Sequence, residues 1–84
     1  MHFKEVDSGE YRIYAGAMER PHAFGYVAAV VVMRRVPGKA PQETYRDENL
    51  AGGYGWASPA EALRHAVNAG KEALMFRASD RAMV

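Results

Sequence analysis

Ser58 lies where an aromatic, glycine-rich stretch meets a charged one, in the segment GYGWASPAEAL. A nucleophilic serine needs a neighbouring base and an oxyanion site, and the GxSxG context that often supplies them is missing. Serine followed by proline and, at the third position, by glutamate is instead typical of a helix start, with Ser58 as N-cap, Pro59 as first helical residue and Glu61 completing a capping box. We therefore predict a structural role for Ser58, no catalytic residue and no enzyme activity.

The same stretch places Tyr54 and Trp56 among glycines. Its backbone N–H groups and rings could bind a ligand, or the two rings could simply cap the core. We adopt the second interpretation and predict no cofactor. The three histidines, His2, His22 and His65, lack metal-ligand spacing, and the chain has no cysteine, so no metal site is predicted.

The densest basic group consists of Arg34, Arg35 and Lys39. These cations could contact the phosphates of a nucleic acid, with tyrosines stacking on its bases, but three cations are also common on a solvated hairpin end. A formal net charge of +1 creates no large field that would attract a polyanion. Nucleic-acid binding by a basic loop, as in an antitoxin-like regulatory domain, is the alternative function.

Hydrophobic periodicity predicts three strands, at residues 10–18, 26–35 and 42–50, followed by a helix from Pro59 to about Phe76. The fold class is α+β: a three-stranded antiparallel β-meander with one C-terminal amphipathic helix packed on one sheet face (β-β-β-α). The segment HFKEV could add a short N-terminal strand. Residues 1–84 form a single domain, in which 77–84 is a frayed tail or a subunit contact. Gly70 either allows close approach to the sheet or marks the end of the helix.

The segment YVAAVVVM is apolar on both sides of a strand. One helix covers only one face of a three-stranded sheet, so the other face would expose apolar side chains that suit association with another chain. The residues assigned to this self-association surface are Tyr14, Met18, Tyr26, Val30 and Val32, or their neighbours. We predict a homodimer, with another protein as a further candidate partner; an N-terminal segment or tail folded over the face is the competing interpretation.

The chain has no apolar run near the roughly 20 residues of a membrane-spanning helix, and its N-terminus is too charged for a signal peptide. No membrane association is predicted, and the location is predicted to be cytoplasmic. Together these observations predict a small interaction module that self-associates.

The order β-β-β-α with SPAEALRHAVNAGKEAL resembles the small domain of HicB-type antitoxins and small bacterial domains of the same build. The resemblance covers about residues 10–76 and depends on Ser58, Glu61, Ala62, Leu63 and Gly70. It implies a double-stranded RNA-binding-like fold that lacks the first helix. The stretch DENLAGGYGWAS departs from the usual proline-rich approach to the antitoxin helix, and eight residues after Phe76 leave no space for a DNA-binding element, so antitoxin activity is not carried over.

Overall fold

A computed structural model describes the backbone of residues 1–82 and the side chains of residues 1–75. Its elements in chain order are β1 (His2–Ser8), β2 (Tyr11–Glu19), β3 (Tyr26–Arg34), β4 (Gln42–Asp47), a 3-10 turn (Leu50–Gly52) and α1 (Pro59–Ala82). The strands form one antiparallel sheet in the order β1-β2-β3-β4. The predicted α+β meander with a C-terminal helix is confirmed, and HFKEV does form an N-terminal strand.

The core lies between α1 and one face of the sheet. Successive side chains of a strand point to opposite faces, so every second residue of β2 and β3 faces the helix. The buried residues are Ile13, Ala15 and Ala17 of β2, Ala28, Val30 and Val32 of β3, and Ala62, Ala66 and Val67 of α1. Because five of these nine side chains are alanine, the helix lies close to the sheet.

Gly70 lies at the closest approach of α1 to β2. A Cβ atom built on Gly70 would stand 2.7 Å from Cγ2 of Ile13, and Ile13 is itself fully buried. The absence of a side chain at position 70 is therefore a packing requirement, and the first of the two alternatives predicted for Gly70, close approach to the sheet, is confirmed.

Helix α1 continues to Ala82, six residues beyond its predicted end near Phe76. The added segment, RASDRA, contains neither glycine nor proline, so no local signal stops the helix there. The frayed tail at 77–84 stays a prediction, although the backbone is helical up to Ala82. The subunit contact predicted for the same residues 77–84 concerns side chains that lie outside the described residues.

The sheet edges are formed by β1 and β4. Charged residues lie along both strands, among them Lys4 and Glu5 of β1 and Glu43 and Arg46 of β4. Charge on edge strands opposes uncontrolled strand pairing. Within the described part of the chain, no helix combines the length and apolarity needed to cross a membrane.

Candidate functional site

The sheet face opposite α1, which we call the outer face, has an apolar centre. The register of the strands places the following residues next to one another on this face: Phe3 of β1, Tyr14, Gly16 and Met18 of β2, and Val27, Ala29, Val31 and Met33 of β3. Phe3 is 73% exposed and Tyr14 38% exposed. A shallow groove of about 140 Å³ lies between Phe3, Tyr14, Val31 and Glu48. None of the described elements other than the sheet itself covers this face.

Three residues predicted for the self-association surface lie on the other side of the sheet. Val30 and Val32 are fully buried beneath α1, and Tyr26 packs against the same core. Tyr14 and Met18 do lie on the outer face. The set predicted from the sequence contained residues of both faces. Both faces of β3 are apolar, so the sequence does not indicate which of them the helix covers. The residues of β3 that share the outer face with Tyr14 and Met18 are Val27, Ala29, Val31 and Met33.

Paired charges border the apolar centre on the β1 side. Arg12 donates a hydrogen bond from Nε to Asp7 at 2.7 Å, and Arg35 donates one to the same carboxylate at 2.9 Å. The hydrogen bond from Arg12, helped by the charges of Arg12 and Arg35, lowers the pKa of the Asp7 carboxyl, against an opposing effect of partial desolvation. Asp7 thus stays ionised and joins the two arginines across the sheet.

A second group of paired charges borders the apolar centre on the β4 side. Arg46 donates a hydrogen bond from Nε to Glu43 at 2.7 Å and another to Glu48. These hydrogen bonds raise the pKa of Arg46, which remains a cation at any ordinary pH. The outer face therefore presents an apolar centre between two neutralised or nearly neutralised borders.

The predicted basic group does not form one cationic patch. Arg34 lies 3.4 Å from the Glu10 carboxylate, and Arg35 is bound to Asp7. Lys39 lies in the exposed turn between β3 and β4, where its backbone N–H donates to Val36. Two of the three cations already have acidic partners within the chain, so a phosphate would have to compete for them.

Ser58 is the N-cap of α1. Its Oγ accepts a hydrogen bond from the backbone N–H of Glu61 at 3.2 Å, and its carbonyl accepts one from Ala62. The structural role predicted for Ser58 is confirmed. Only half of the predicted capping box forms, because the Glu61 carboxylate has no hydrogen-bond partner among the described residues. Glu61 lines a cleft at the start of α1.

We expect Ser58→Ala to lower the free energy of unfolding by about 1 kcal/mol, because the N–H of Glu61 loses its acceptor. Chemical denaturation followed by circular dichroism measures the change. Ser58→Asp keeps an acceptor oxygen at the N-cap and is the matched control, so it should retain the stability. Equal losses in both variants would contradict the capping role.

The cleft is formed where the β2–β3 loop meets the segment before α1, and we call it the aromatic cleft. Its lining residues are Phe24, Ala51, Tyr54, Gly55, Trp56, Ala57, Glu61 and His65, around a volume of about 670 Å³. Tyr54 meets Trp56 edge to face with ring centroids 4.9 Å apart, and His65 stacks on Trp56, also at 4.9 Å. The rings of three separate segments thus meet at one site.

The predicted role of the two rings as caps of the core is right for Trp56 and wrong for Tyr54. Trp56 is half-buried against the core, whereas Tyr54 is 59% exposed and Phe24 77% exposed. His65 is half-buried and stacks on Trp56. The segment GGYGW signalled this cleft in the sequence, but the contribution of Phe24 from a distant loop carried no local signal.

His2 meets the Tyr26 ring edge to face with centroids 6.1 Å apart, and His22 lines a separate groove beside Met18. Among the side chains that the structure describes, no group of three or more His, Cys, Asp or Glu residues is arranged to hold a metal ion. No candidate metal centre can be assigned to these residues.

Comparison with known proteins found no matching family model, curated protein or solved structure. The resemblance to HicB-type antitoxins therefore stays a prediction, and the function must be argued from the outer face and the aromatic cleft themselves.

Proposed function

We propose that this protein is a small interaction module that self-associates by packing the outer faces of two copies against each other. The observation that carries the proposal is the one-sided cover of the sheet: α1 buries one face, while the apolar centre of the other contains Phe3 and Tyr14 in exposed positions. Apolar patches of this kind on small domains are commonly interaction sites. The proposal includes no catalytic step and no cofactor.

The charges on the outer face support a second copy as the partner. Asp7 is bound by Arg12 and Arg35, and Arg46 is bound by Glu43 and Glu48, so the charges around the apolar centre already have partners. A second identical face would meet paired charges and not a surface of one sign. Like-charge repulsion, which often prevents a surface from binding its own copy, is therefore small.

The size of the outer face supports a weak to moderate dimer. Four strands about 4.8 Å apart, each about 25 Å long, give a face on the order of 500 Å². Two copies would together bury on the order of 1,000 Å², which is at the lower limit for a specific interface. We therefore expect an equilibrium between monomer and dimer that depends on protein concentration.

Pairing through the sheet edges is the less favourable geometry. Both edge strands carry charged residues, and their pairing with a second copy would bring those charges close together. Packing of sheet on sheet leaves the edges in solvent and uses the apolar centre. Substitutions that test self-association should therefore be made on the outer face.

We expect Val31→Glu to weaken self-association at least tenfold, because Val31 lies at the middle of the outer face opposite Tyr14 and the new carboxylate would be buried in the dimer. Asn68→Glu is the matched control, since it adds the same charge at an exposed position of α1. Size-exclusion chromatography at several protein concentrations, with light scattering, measures the dissociation constants.

Self-association of Val31→Glu as strong as that of Asn68→Glu would contradict the proposal. Circular dichroism must show that Val31→Glu is folded at the concentration used. If it is unfolded, Phe3→Ser replaces it, because Phe3 is exposed and its removal leaves the core beneath α1 intact. The same outcomes then apply to Phe3→Ser.

Nucleic-acid contact through Arg34, Arg35 and Lys39 is the competing proposal. It would require Arg34 and Arg35 to leave Glu10 and Asp7. Binding to single-stranded or double-stranded RNA or DNA that falls steeply with salt and weakens in Arg34→Ala/Arg35→Ala would favour it. Absence of binding at low salt would eliminate it.

A further inference from the structure

We propose that the aromatic cleft binds an organic cation, with a quaternary ammonium group as the preferred ligand. The cleft lies at the start of α1 and does not belong to the outer face, so this site is separate from the proposed self-association surface. Its rings and its carboxylate together supply the chemistry that recognises such a cation.

The first argument is the accumulation of exposed rings. Phe24 is 77% exposed and Tyr54 59% exposed, yet both line the same cleft as Trp56. Exposing two large rings beside a third does not stabilise the fold, because their apolar area stays in water. The faces of aromatic rings attract cations, and cages of such rings bind quaternary ammonium groups in proteins.

The second argument is the unpaired carboxylate of Glu61. Glu61 lines the cleft, and its carboxylate accepts no hydrogen bond from the described residues. Arg20 adjoins the cleft without lining it: its Nη1 donates to the carbonyl of Phe24 at 3.4 Å and would stand 2.9 Å from a Cβ atom on Gly55, and its side chain lines a different groove. The cleft therefore offers a negative charge without a lysine or arginine among its lining residues.

The third argument is that the backbone holds the cleft in shape before any ligand arrives. Tyr26 and Trp56 exchange two backbone hydrogen bonds, at 2.8 Å and 2.9 Å. Gly25 and Gly55 lie so close that a Cβ atom on Gly25 would stand 2.8 Å from the carbonyl carbon of Gly55. These contacts join the loop that carries Phe24 to the segment that carries Tyr54 and Trp56, which lowers the cost of ordering the rings on binding.

The positive end of α1 also lies at this cleft and by itself would favour an anion. That end is already complemented: Ser58 accepts the N–H of Glu61, Pro59 has no N–H, and Glu61 adds a negative charge in the first turn. An anion would have to approach the Glu61 carboxylate. The balance of charge therefore favours a cation.

Titration with choline tests the proposal, because Trp56 is the only tryptophan and its fluorescence reports on the cleft. The control ligand is 3,3-dimethylbutan-1-ol, which has the shape of choline without its charge. Saturation-transfer NMR on the ligand protons detects binding that leaves the fluorescence unchanged. We expect saturable binding of choline and at least fivefold weaker binding of the neutral alcohol.

Two cleft variants and two matched controls complete the experiment. We expect choline to bind at least fivefold more weakly to Tyr54→Ala and at least threefold more weakly to Glu61→Gln. Met75→Ala removes a large exposed apolar side chain that lines neither the cleft nor the outer face, and Glu72→Gln removes an exposed charge from the same helix, so both should bind as the unmodified protein does. Tyr54 is exposed, so its replacement should leave the fold intact.

Three outcomes would overturn the proposal. Equal binding of choline and the neutral alcohol would show an apolar cleft without cation recognition. Tighter binding of adenosine than of choline, lost in Tyr54→Ala, would show a base-stacking site. Absence of binding by both fluorescence and NMR at concentrations up to tens of millimolar would show no site for this class of ligand.

Discussion

Gly25→Ala should lower the free energy of unfolding by about 2–4 kcal/mol and change the near-ultraviolet circular dichroism of Trp56. Gly25 has a φ of +101°, which a residue with a side chain rarely adopts. A methyl group at this position would also stand 2.9 Å from the carbonyl oxygen of Trp56. Because these two penalties add, we expect this substitution to have the largest effect.

Gly9→Ala separates the cost of a positive φ from the cost of the steric contact. Gly9 also has a positive φ, +61°, but no atom lies within 4 Å of the position that its Cβ would occupy. We expect Gly9→Ala to cost about 1 kcal/mol and to leave the signal of Trp56 unchanged. If Gly25→Ala cost no more than Gly9→Ala, the tight contact between the two loops would be disproved.

Gly70→Ala should destabilise the protein by about 1–2 kcal/mol, although alanine is the better helix former by about 1 kcal/mol. The reason is the 2.7 Å separation between the new Cβ and Cγ2 of Ile13, a stiff branched side chain in the core. Thermal or chemical denaturation followed by circular dichroism measures the change.

The matched control is Asn68→Ala, which changes an exposed residue of the same helix and should leave stability equal or slightly higher. A double-mutant cycle with Ile13→Ala isolates the contact. In the absence of the Ile13 side chain, Gly70→Ala should cost less or become stabilising. A stabilising effect of Gly70→Ala in the unmodified background would contradict the packing described between α1 and β2.

Much of the fold could be predicted because local signals agreed with one another. Ser58, Pro59 and Glu61 located the helix start, and hydrophobic periodicity located β2, β3 and β4. For Gly70 the sequence left two alternatives open, close approach to the sheet or the end of the helix, and the contact with Ile13 shows the first. The helix end was missed because RASDRA carries no stop signal, and the helix extends to Ala82.

The faces of the sheet could not be predicted from the sequence. In β3 both alternating sets are apolar, so the choice between Val30 and Val31 for the core depends on where α1 packs. The aromatic cleft could be predicted only in part for a similar reason: GGYGW indicated one side of it, whereas Phe24 is distant in sequence and lines the same cleft through the backbone bridge between Tyr26 and Trp56. Both features depend on long-range contacts, for which residue spacing has no signal.

Sedimentation equilibrium of the unmodified protein tests the central claim most directly. We expect the weight-average mass to rise from that of one chain toward twice that value between about 10 µM and about 1 mM, as suits an interface of this size. The rise should persist in 0.5 M NaCl, because apolar contacts and not charges dominate the outer face. A mass that stays at one chain up to about 1 mM, beyond the range of such interfaces, would contradict self-association through the outer face.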